Sequence, residues 1–402
     1  MSLNATPSAN RLHIAFFGCR NAGKSSVVNA VTGQDLAVVS DVKGTTTDPV
    51  SKAMELLPLG PVVVIDTPGF DDLGYLGEKR IRKTKQILNK TDIAVLVVDG
   101  TVGENDCDRQ LLKLFGEKQI PSLTVYNKSD LLEHPPENRE TALWVSAVTG
   151  AGIHDLKERL GALAPKEDPN HRLLGDLLAP GDTAVLVCPI DESAPKGRMI
   201  LPQQQAIRDT LDAGAIAVVT RELELEQTLN ALRRPPALVV TDSQAFKLVS
   251  AITPDDVPLT SFSILLARYK GFLEAAVAGV AAIDTLQSGD KILVAESCTH
   301  HRQCNDIGTV KIPRWLQSHT GKQLTIETCS GTEFPEDLTS YALVIHCGGC
   351  MTTDRELQYR MRCSLDQGVP FTNYGVAIAR MTGTLERSVR MFPRIHELLP
   401  SK

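Results

Sequence analysis

Eight residues near the N-terminus, Gly18-Cys19-Arg20-Asn21-Ala22-Gly23-Lys24-Ser25, constrain this chain more than any other feature. Their spacing is G-x-x-x-x-G-K-[ST]. Glycines there free backbone N–H groups to wrap a polyphosphate, and the lysine supplies a point charge. Such a loop must follow a strand and open a helix. His13–Phe17 reads as the strand and Ser25–Val31 as the helix, whose N-terminus adds partial positive charge. A glycine-rich turn with an exposed lysine is the plain alternative, and the flanking elements argue against it. Lys24 is expected on the β- and γ-phosphates and the Ser25 hydroxyl on Mg²⁺. Gly18, Asn21, Ala22, Gly23 and Ser26 are expected to line the phosphates.

Four companions follow in chain order. Gly44-Thr-Thr-Thr-Asp48 offers a second Mg²⁺ hydroxyl, assigned to Thr46. Asp66-Thr-Pro-Gly69 ends a strand; Asp66 suits a water-mediated Mg²⁺ contact and Gly69 a γ-phosphate sensor. Asn127-Lys128-Ser129-Asp130 ends another strand, and the Asp130 carboxylate can accept both N1 and N2 hydrogens of guanine. Ser146-Ala147 ends the last strand and can back the base. This set resembles the translation-factor-related GTPases and implies GTP and GDP as ligands. Phe70 stands where Ras-like proteins carry a water-positioning glutamine. Asn21 resembles the asparagine of potassium-activated GTPases such as the tRNA-modifying type; its other reading is a simple turn former. Slow hydrolysis that K⁺ accelerates is therefore expected.

The expected fold is α/β. From Arg11 to about Leu163, apolar runs at Leu12–Phe17, Val62–Asp66, Ile93–Asp99, Ser122–Asn127 and Leu143–Ser146 alternate with helical or glycine-rich stretches. Continuous rather than alternating apolar strands suit a mainly parallel sheet covered on both faces. The first ten residues read as a loose tail. A linker follows, then strands at Ala184–Pro189, Ala215–Thr220, Ala237–Thr241 and Leu259–Ile264, with helices at Gln203–Leu211, Glu222–Leu232 and Ser243–Ile252. A third set has strands at Ile292–Ala295, Gln323–Glu327, Ala342–His346 and Val369–Thr372. Three domains are expected: 1–165, a linker over 166–182, then 183–270 and 271–402. The middle one carries no convergent catalytic group, so association into a homodimer is its expected use. A net charge of −6 and 4% aromatic residues argue against nucleic acid as a partner. No apolar run approaches the ~20 residues of a membrane helix, and no secretory leader is evident, so a cytoplasmic protein without a membrane partner is expected.

Nine cysteines are too few for a disulfide scaffold. Three of them cluster with histidines: Cys298-Thr-His300 and His346-Cys347-Gly-Gly-Cys350. Both groups directly follow predicted strands, so parallel pairing would bring their ends ~5 Å apart, where ligands of open α/β sheets gather. Soft thiolates suit zinc and iron–sulfur alike, and a catalytic dithiol or inert buried cysteines are further readings. An iron–sulfur cube usually takes four cysteines; His300, His346, Glu296, Asp306 and Cys304 are candidates for a fourth position. Cys19, Cys107, Cys188, Cys329 and Cys363 read as isolated packing residues.

A GTPase domain followed by C-x-H…H-C-x-x-C resembles the [FeFe]-hydrogenase maturation GTPase family, HydF. Ile312-Pro-Arg-Trp-Leu316, Thr372-Asn-Tyr-Gly375, Ala194-Pro-Lys-Gly197 and Thr241-Asp-Ser-Gln244 are similar to that family too. The resemblance implies GTPase, dimerisation and cluster-binding domains. It implies a [4Fe–4S] cluster held by Cys298, Cys347 and Cys350, with His300 and His346 as less uniform ligands. It also implies a scaffold that receives a diiron H-cluster precursor made with two radical-SAM maturases and delivers it to apo-hydrogenase. Two other hypotheses compete. One is a potassium-dependent GTPase in tRNA modification or ribosome assembly with a zinc-binding C-terminal domain; the other is a zinc-stabilised, nucleotide-dependent adaptor.

Overall fold

The computed structural model describes residues 11–34, 49–69, 84–134, 136–139, 142–165, 171–190, 199–297, 306–331 and 333–399. Two compact units divide the chain, 1–166 and 167–402. The first ten residues, Gly44–Asp48, Phe70, Ala194–Gly197, Cys298, His300 and Cys304 fall outside the described residues.

The first unit is a six-stranded sheet. Its strands are β1 (Leu12–Phe17), β2 (Val50–Leu56), β3 (Gly60–Asp66), β4 (Ile93–Asp99), β5 (Ser122–Asn127) and β6 (Ala142–Trp144). Their spatial order is β2-β3-β1-β4-β5-β6, and only β2 runs antiparallel. β1, β3 and β4 are buried on both faces because each is an unbroken apolar run, as Ile14, Ala15, Phe16, Val95, Leu96 and Val97 show. One face is covered by Val27, Val31, Leu156 and Leu160. The other is covered by Leu88, Leu111 and Phe115. β2 was not expected. It is an edge strand in which only Leu56 is buried, so its apolar residues make no continuous run.

The second unit holds two parallel four-stranded sheets. One contains β7 (Thr183–Val187), β8 (Ile216–Thr220), β9 (Leu238–Thr241) and β10 (Leu259–Ser261), in the order β10-β9-β7-β8. The other contains β11 (Lys291–Glu296), β12 (Thr325–Ser330), β13 (Leu343–His346) and β14 (Phe371–Asn373), in the order β12-β11-β13-β14. A single core runs through both, from Leu186 and Val240 through Leu265 and Leu266 to Leu293, Ile345 and Val376. The helix Phe262–Tyr269 sits at its centre. Ser261 ends β10 because its Oγ accepts the Ile264 N–H, an N-cap that converts the strand expected as far as Ile264 into a helix start.

Within the segment 166–182, expected as a linker, Leu173, Leu174 and Leu178 are buried against the second unit's core, while Asp176 and Ala179–Gly181 are exposed. Asp209 on the helix Leu201–Asp212 accepts the N–H groups of Leu174 and Gly175 at 2.8 and 2.7 Å. Prolines and glycines dominated the sequence signal there, while the three leucines supply the burial. Among the described residues, no helix is long and apolar enough to cross a membrane.

Candidate nucleotide site and cysteine centre

Parallel register carries the nucleotide motifs to one edge of the first sheet. Phe16 lies opposite Asp66 and Asp99 opposite Asn127, so the loops after β1, β3, β4 and β5 emerge side by side. The phosphate loop needs its glycines. Gly18 lies against the β4 backbone, where a Cβ would collide with the Val97 carbonyl, and Gly23 has φ +78° with no room for a Cβ beside Asn127 Nδ2. Asn21 also adopts a left-handed φ of +64°.

Lys24 and Ser25 converge on one buried carboxylate. Lys24 Nζ lies 2.7 Å from Asp66 Oδ1, and the Ser25 hydroxyl donates to Asp66 Oδ2 at 2.7 Å. Thr67, next in line, anchors the loop by donating its hydroxyl to the Phe16 carbonyl at 2.7 Å. This cradle of backbone N–H groups, a hydroxyl and a carboxylate fits a nucleotide phosphate with a hard divalent cation.

Asn127 joins the two halves of the site. Its Nδ2 donates to the Ala22 carbonyl at 3.1 Å, and its Oδ1 accepts the Ala147 N–H at 3.1 Å. One buried amide therefore ties the phosphate loop to the Ser146-Ala147 turn. Ser146 is buried, and its Oγ accepts the Thr149 N–H. Lys128 has φ +66° and pairs with Asp99. That turn starts the short 3-10 segment Ser129–Leu131, which presents Asp130 to solvent. Thus Gly18, Asn21, Ala22, Gly23, Lys24, Ser25, Ser26, Asp66, Gly69, Asn127, Lys128, Asp130, Ser146 and Ala147 lie on loops at, or helices opening from, a single sheet edge. Thr46 lies outside the described residues.

The second unit brings the expected cysteine strands together. β11 and β13 are parallel neighbours, with Ala295 opposite His346. The Cys347 N–H extends that ladder by donating to the Ala295 carbonyl at 2.8 Å. Its Sγ accepts the Ser297 N–H at 3.2 Å. Cys347 and Cys350 are half-buried, and Gly349 between them takes φ +68°. Two soft sulfurs just after β13, one of them accepting a backbone N–H, suit an iron–sulfur cluster or a zinc ion.

The surroundings sort the candidate non-cysteine ligands. His346 is fully buried with both ring nitrogens engaged: Nδ1 lies 2.7 Å from the Cys347 carbonyl and Nε2 3.3 Å from Arg360 Nη1. Burial, reinforced by the Arg360 charge, pushes its pKa down to about 3, so the ring stays neutral, donating to the carbonyl and accepting from arginine. This geometry makes His346 a brace for the Cys347 backbone. Glu296 is buried and accepts the Tyr374 hydroxyl proton at 3.2 Å. Asp306 caps a turn, accepting from Thr309 N–H at 2.9 Å. Cys188 and Cys329 are thiols that burial pushes up to about 12 and about 11.

Sequence reasoning missed two features. Arg360, which no motif singles out, is buried and reaches His346. Cys19 and Cys107, expected to be isolated, have their sulfurs paired. That expectation is corrected: 88 residues separate them, and only the approach of the helix Asp106–Glu117 to the phosphate loop joins them.

Comparison with known proteins divides along the same lines. Residues 13–128 match a family model described as a 50S ribosome-binding GTPase. Residues 173–271 match a hydrogen maturase F dimerization domain, and residues 274–391 a hydrogen maturase F tetramerization domain. The tRNA modification GTPase MnmE of Bordetella petrii is 35% identical over 154 residues, 38% of this chain and 34% of that protein. GTPase Der of Kosmotoga olearia is 31% identical over 180 residues, 40% of each. The matched segments thus span about a third to two fifths of these relatives. Among solved structures, a single-substitution variant of Aquifex aeolicus Era bound to GDP·AlF₄⁻ aligns at 20% identity and TM-score 0.35, over 52% of this chain and 91% of that one. A probable GTP-binding protein engB aligns at 23% identity and TM-score 0.31, over 38% of this chain and 97% of that one.

Proposed function

Because this chain belongs to the hydrogen maturase F family of GTPases, we propose that it is a GTP-hydrolysing scaffold for [FeFe]-hydrogenase maturation. On this reading it binds a [4Fe–4S] cluster through Cys298, Cys347 and Cys350. It receives the diiron precursor with the help of radical-SAM maturases and passes it to apo-hydrogenase. The observation that carries the reading is the placement of Cys347 and Cys350 at the end of β13, beside the end of β11, inside the segment that the hydrogen maturase F models cover.

The nucleotide chemistry follows from the chain's own groups. Backbone N–H groups of the phosphate loop and Lys24 hold the β- and γ-phosphates. Ser25 and Thr46 supply hydroxyls to Mg²⁺, with Asp66 acting through its water shell. Gly69 reads the γ-phosphate, and Asp130 reads the guanine edge. Phe70 has no group to orient water, so Asn21 holding K⁺ at the phosphates is proposed as the stabiliser of charge in the transition state. In the second unit, a bound cluster would supply an iron site to which a bridging ligand of the precursor can attach. His346 and Arg360 hold the Cys347 backbone, and the Ser297 N–H supports its sulfur.

The deciding experiment is anaerobic purification with iron, sulfide and zinc assays and EPR of the reduced protein, for the parent and for Cys347→Ala. The reading expects iron and sulfide in the parent, loss of both in the variant, and maturation of apo-hydrogenase by the parent alone. Stoichiometric zinc without sulfide would replace it with the adaptor reading.

A further inference from the structure

We propose that Cys19 and Cys107 form a reversible dithiol–disulfide site that locks the phosphate loop. Cys19 is the second residue of that loop, and Cys107 the second residue of the helix Asp106–Glu117. Their sulfurs are paired and their Cα atoms lie 6.5 Å apart, within the span a disulfide bridges. Both are half-buried rather than sealed in the core.

The surroundings hold the two sulfurs together. Asn105 caps the helix: its Oδ1 accepts the N–H groups of Cys107 and Asp108 at 2.9 and 3.1 Å, while Asp108 Oδ2 accepts the Asn105 N–H at 3.1 Å. This reciprocal cap fixes Cys107. Cys19 Sγ lies 3.3 Å from both Asn105 Oδ1 and Asp108 Oδ1. On the loop side, Gly18 is seated on the β4 backbone, so Cys19 has little freedom to leave.

Asp108 is a third donor within 4.8 Å, which makes a soft metal ion the competing occupant. The carboxyl is a poor ligand there. It is 1% exposed and already bonded to the Asn105 N–H, and burial raises its pKa. Two thiols without a good third donor favour sulfur–sulfur exchange over metal binding.

The oxidant is a small-molecule disulfide of the glutathione class. One cysteine thiolate attacks its S–S bond, forming a mixed disulfide and releasing one thiol. The second cysteine then attacks the protein sulfur of that mixed disulfide, forming the Cys19–Cys107 bond and releasing the second thiol. Two electrons pass from the protein to the small disulfide, and two protons leave with the two thiols. The product ties the phosphate loop to the helix Asp106–Glu117. A loop that must part from bound phosphates is then restrained, so nucleotide release and turnover slow. This consequence rests on the GTPase reading; the bond itself does not.

The test uses the full chain, purified anaerobically and equilibrated in mixtures of reduced and oxidised glutathione. Free thiols are alkylated, and peptides joining Cys19 to Cys107 are measured by mass spectrometry. Release of a fluorescent GDP and GTP hydrolysis are followed on the same samples. A linked peptide that dithiothreitol reverses is expected, with release slowed about fivefold. Cys107→Ser should give no linked peptide, no slowing, and hydrolysis at the rate of the reduced parent. Full alkylation of both cysteines in oxidised glutathione would overturn the proposal. So would slowing that persists in Cys107→Ser, a linked peptide with unchanged release, or equimolar zinc that shields both thiols. Failure of the GTPase reading appears separately, as absent hydrolysis in the reduced protein.

Discussion

Asn127 bonds at once to the phosphate loop and to the Ser146-Ala147 turn, so one buried amide joins the segments proposed to hold phosphate and base. Asp130, three residues on, is exposed and held by the left-handed turn at Lys128. An asparagine there cannot accept both guanine hydrogens, and losing one charge-assisted bond costs ~1.5–3 kcal/mol. Asp130→Asn should therefore weaken GTP binding roughly 10–100-fold; unchanged affinity in a fluorescent-nucleotide titration would remove Asp130 from base reading. His13 on β1 predicts a pH effect. Burial pushes its pKa down to about 4, against the smaller opposing pull of the Arg11 carbonyl that its Nδ1 contacts. The folded ring is neutral, whereas the unfolded ring takes a proton near 6.5. Unfolding thus binds a proton between those values, and the stability present above pH 6.5 declines as pH falls toward 4, by about 3 kcal/mol at most. The parent should lose more melting temperature between pH 7 and pH 5 than His13→Leu does. Equal losses would place the acid sensitivity elsewhere.

At the scale of elements, the apolar strands were legible because parallel strands buried on both faces write an unbroken signature; β1, β4 and β5 lie where the sequence put them. β2 and Arg360 were not, for opposite reasons. β2 is an edge strand with little burial to record. Arg360 sits on the helix Asp354–Asp366 and is 1% exposed despite its charge. Its guanidinium bonds to Glu356, His346 and the Gly331 carbonyl and stacks on Phe334. No local pattern announces partners drawn from the loop between β12 and β13 and from β13 itself. The nucleotide site was readable since its motifs are contiguous, whereas the cysteine centre's braces are assembled in three dimensions. Arg360→Leu leaves Glu356 buried without its cation, a change that costs ~3–5 kcal/mol. The variant should melt earlier and hold less iron, while GTP hydrolysis in the separate first unit stays near the parent rate. Undiminished stability in calorimetry would make the network incidental.

At the scale of the whole molecule, the second unit exposes the edge strand β8 among its described residues. β8 lies at the end of its sheet, and within it Ile216 is 53% and Val219 46% exposed. Leu211 and Leu223, just before and just after it, are exposed as well. Solitary edge strands are normally blunted by a charge, a proline or a bulge, and Ile216–Thr220 carries neither charge nor proline. Such an edge suits pairing with a second copy across a two-fold axis, which buries the same residues on both partners. The segment lies inside the hydrogen maturase F dimerization match, while the tetramerization match begins only at residue 274. A lysine pair on the strand should therefore break one interface and spare the other. Ile216→Lys with Val219→Lys is expected to halve the mass of the full chain in light scattering at micromolar concentration, with GTP hydrolysis per chain within about twofold of the parent. An unchanged mass would exclude β8 as the seam. A halved mass with a collapsed melting transition would instead mean that the lysines unfold the sheet, so circular dichroism of the same sample decides whether an interface or a fold was lost.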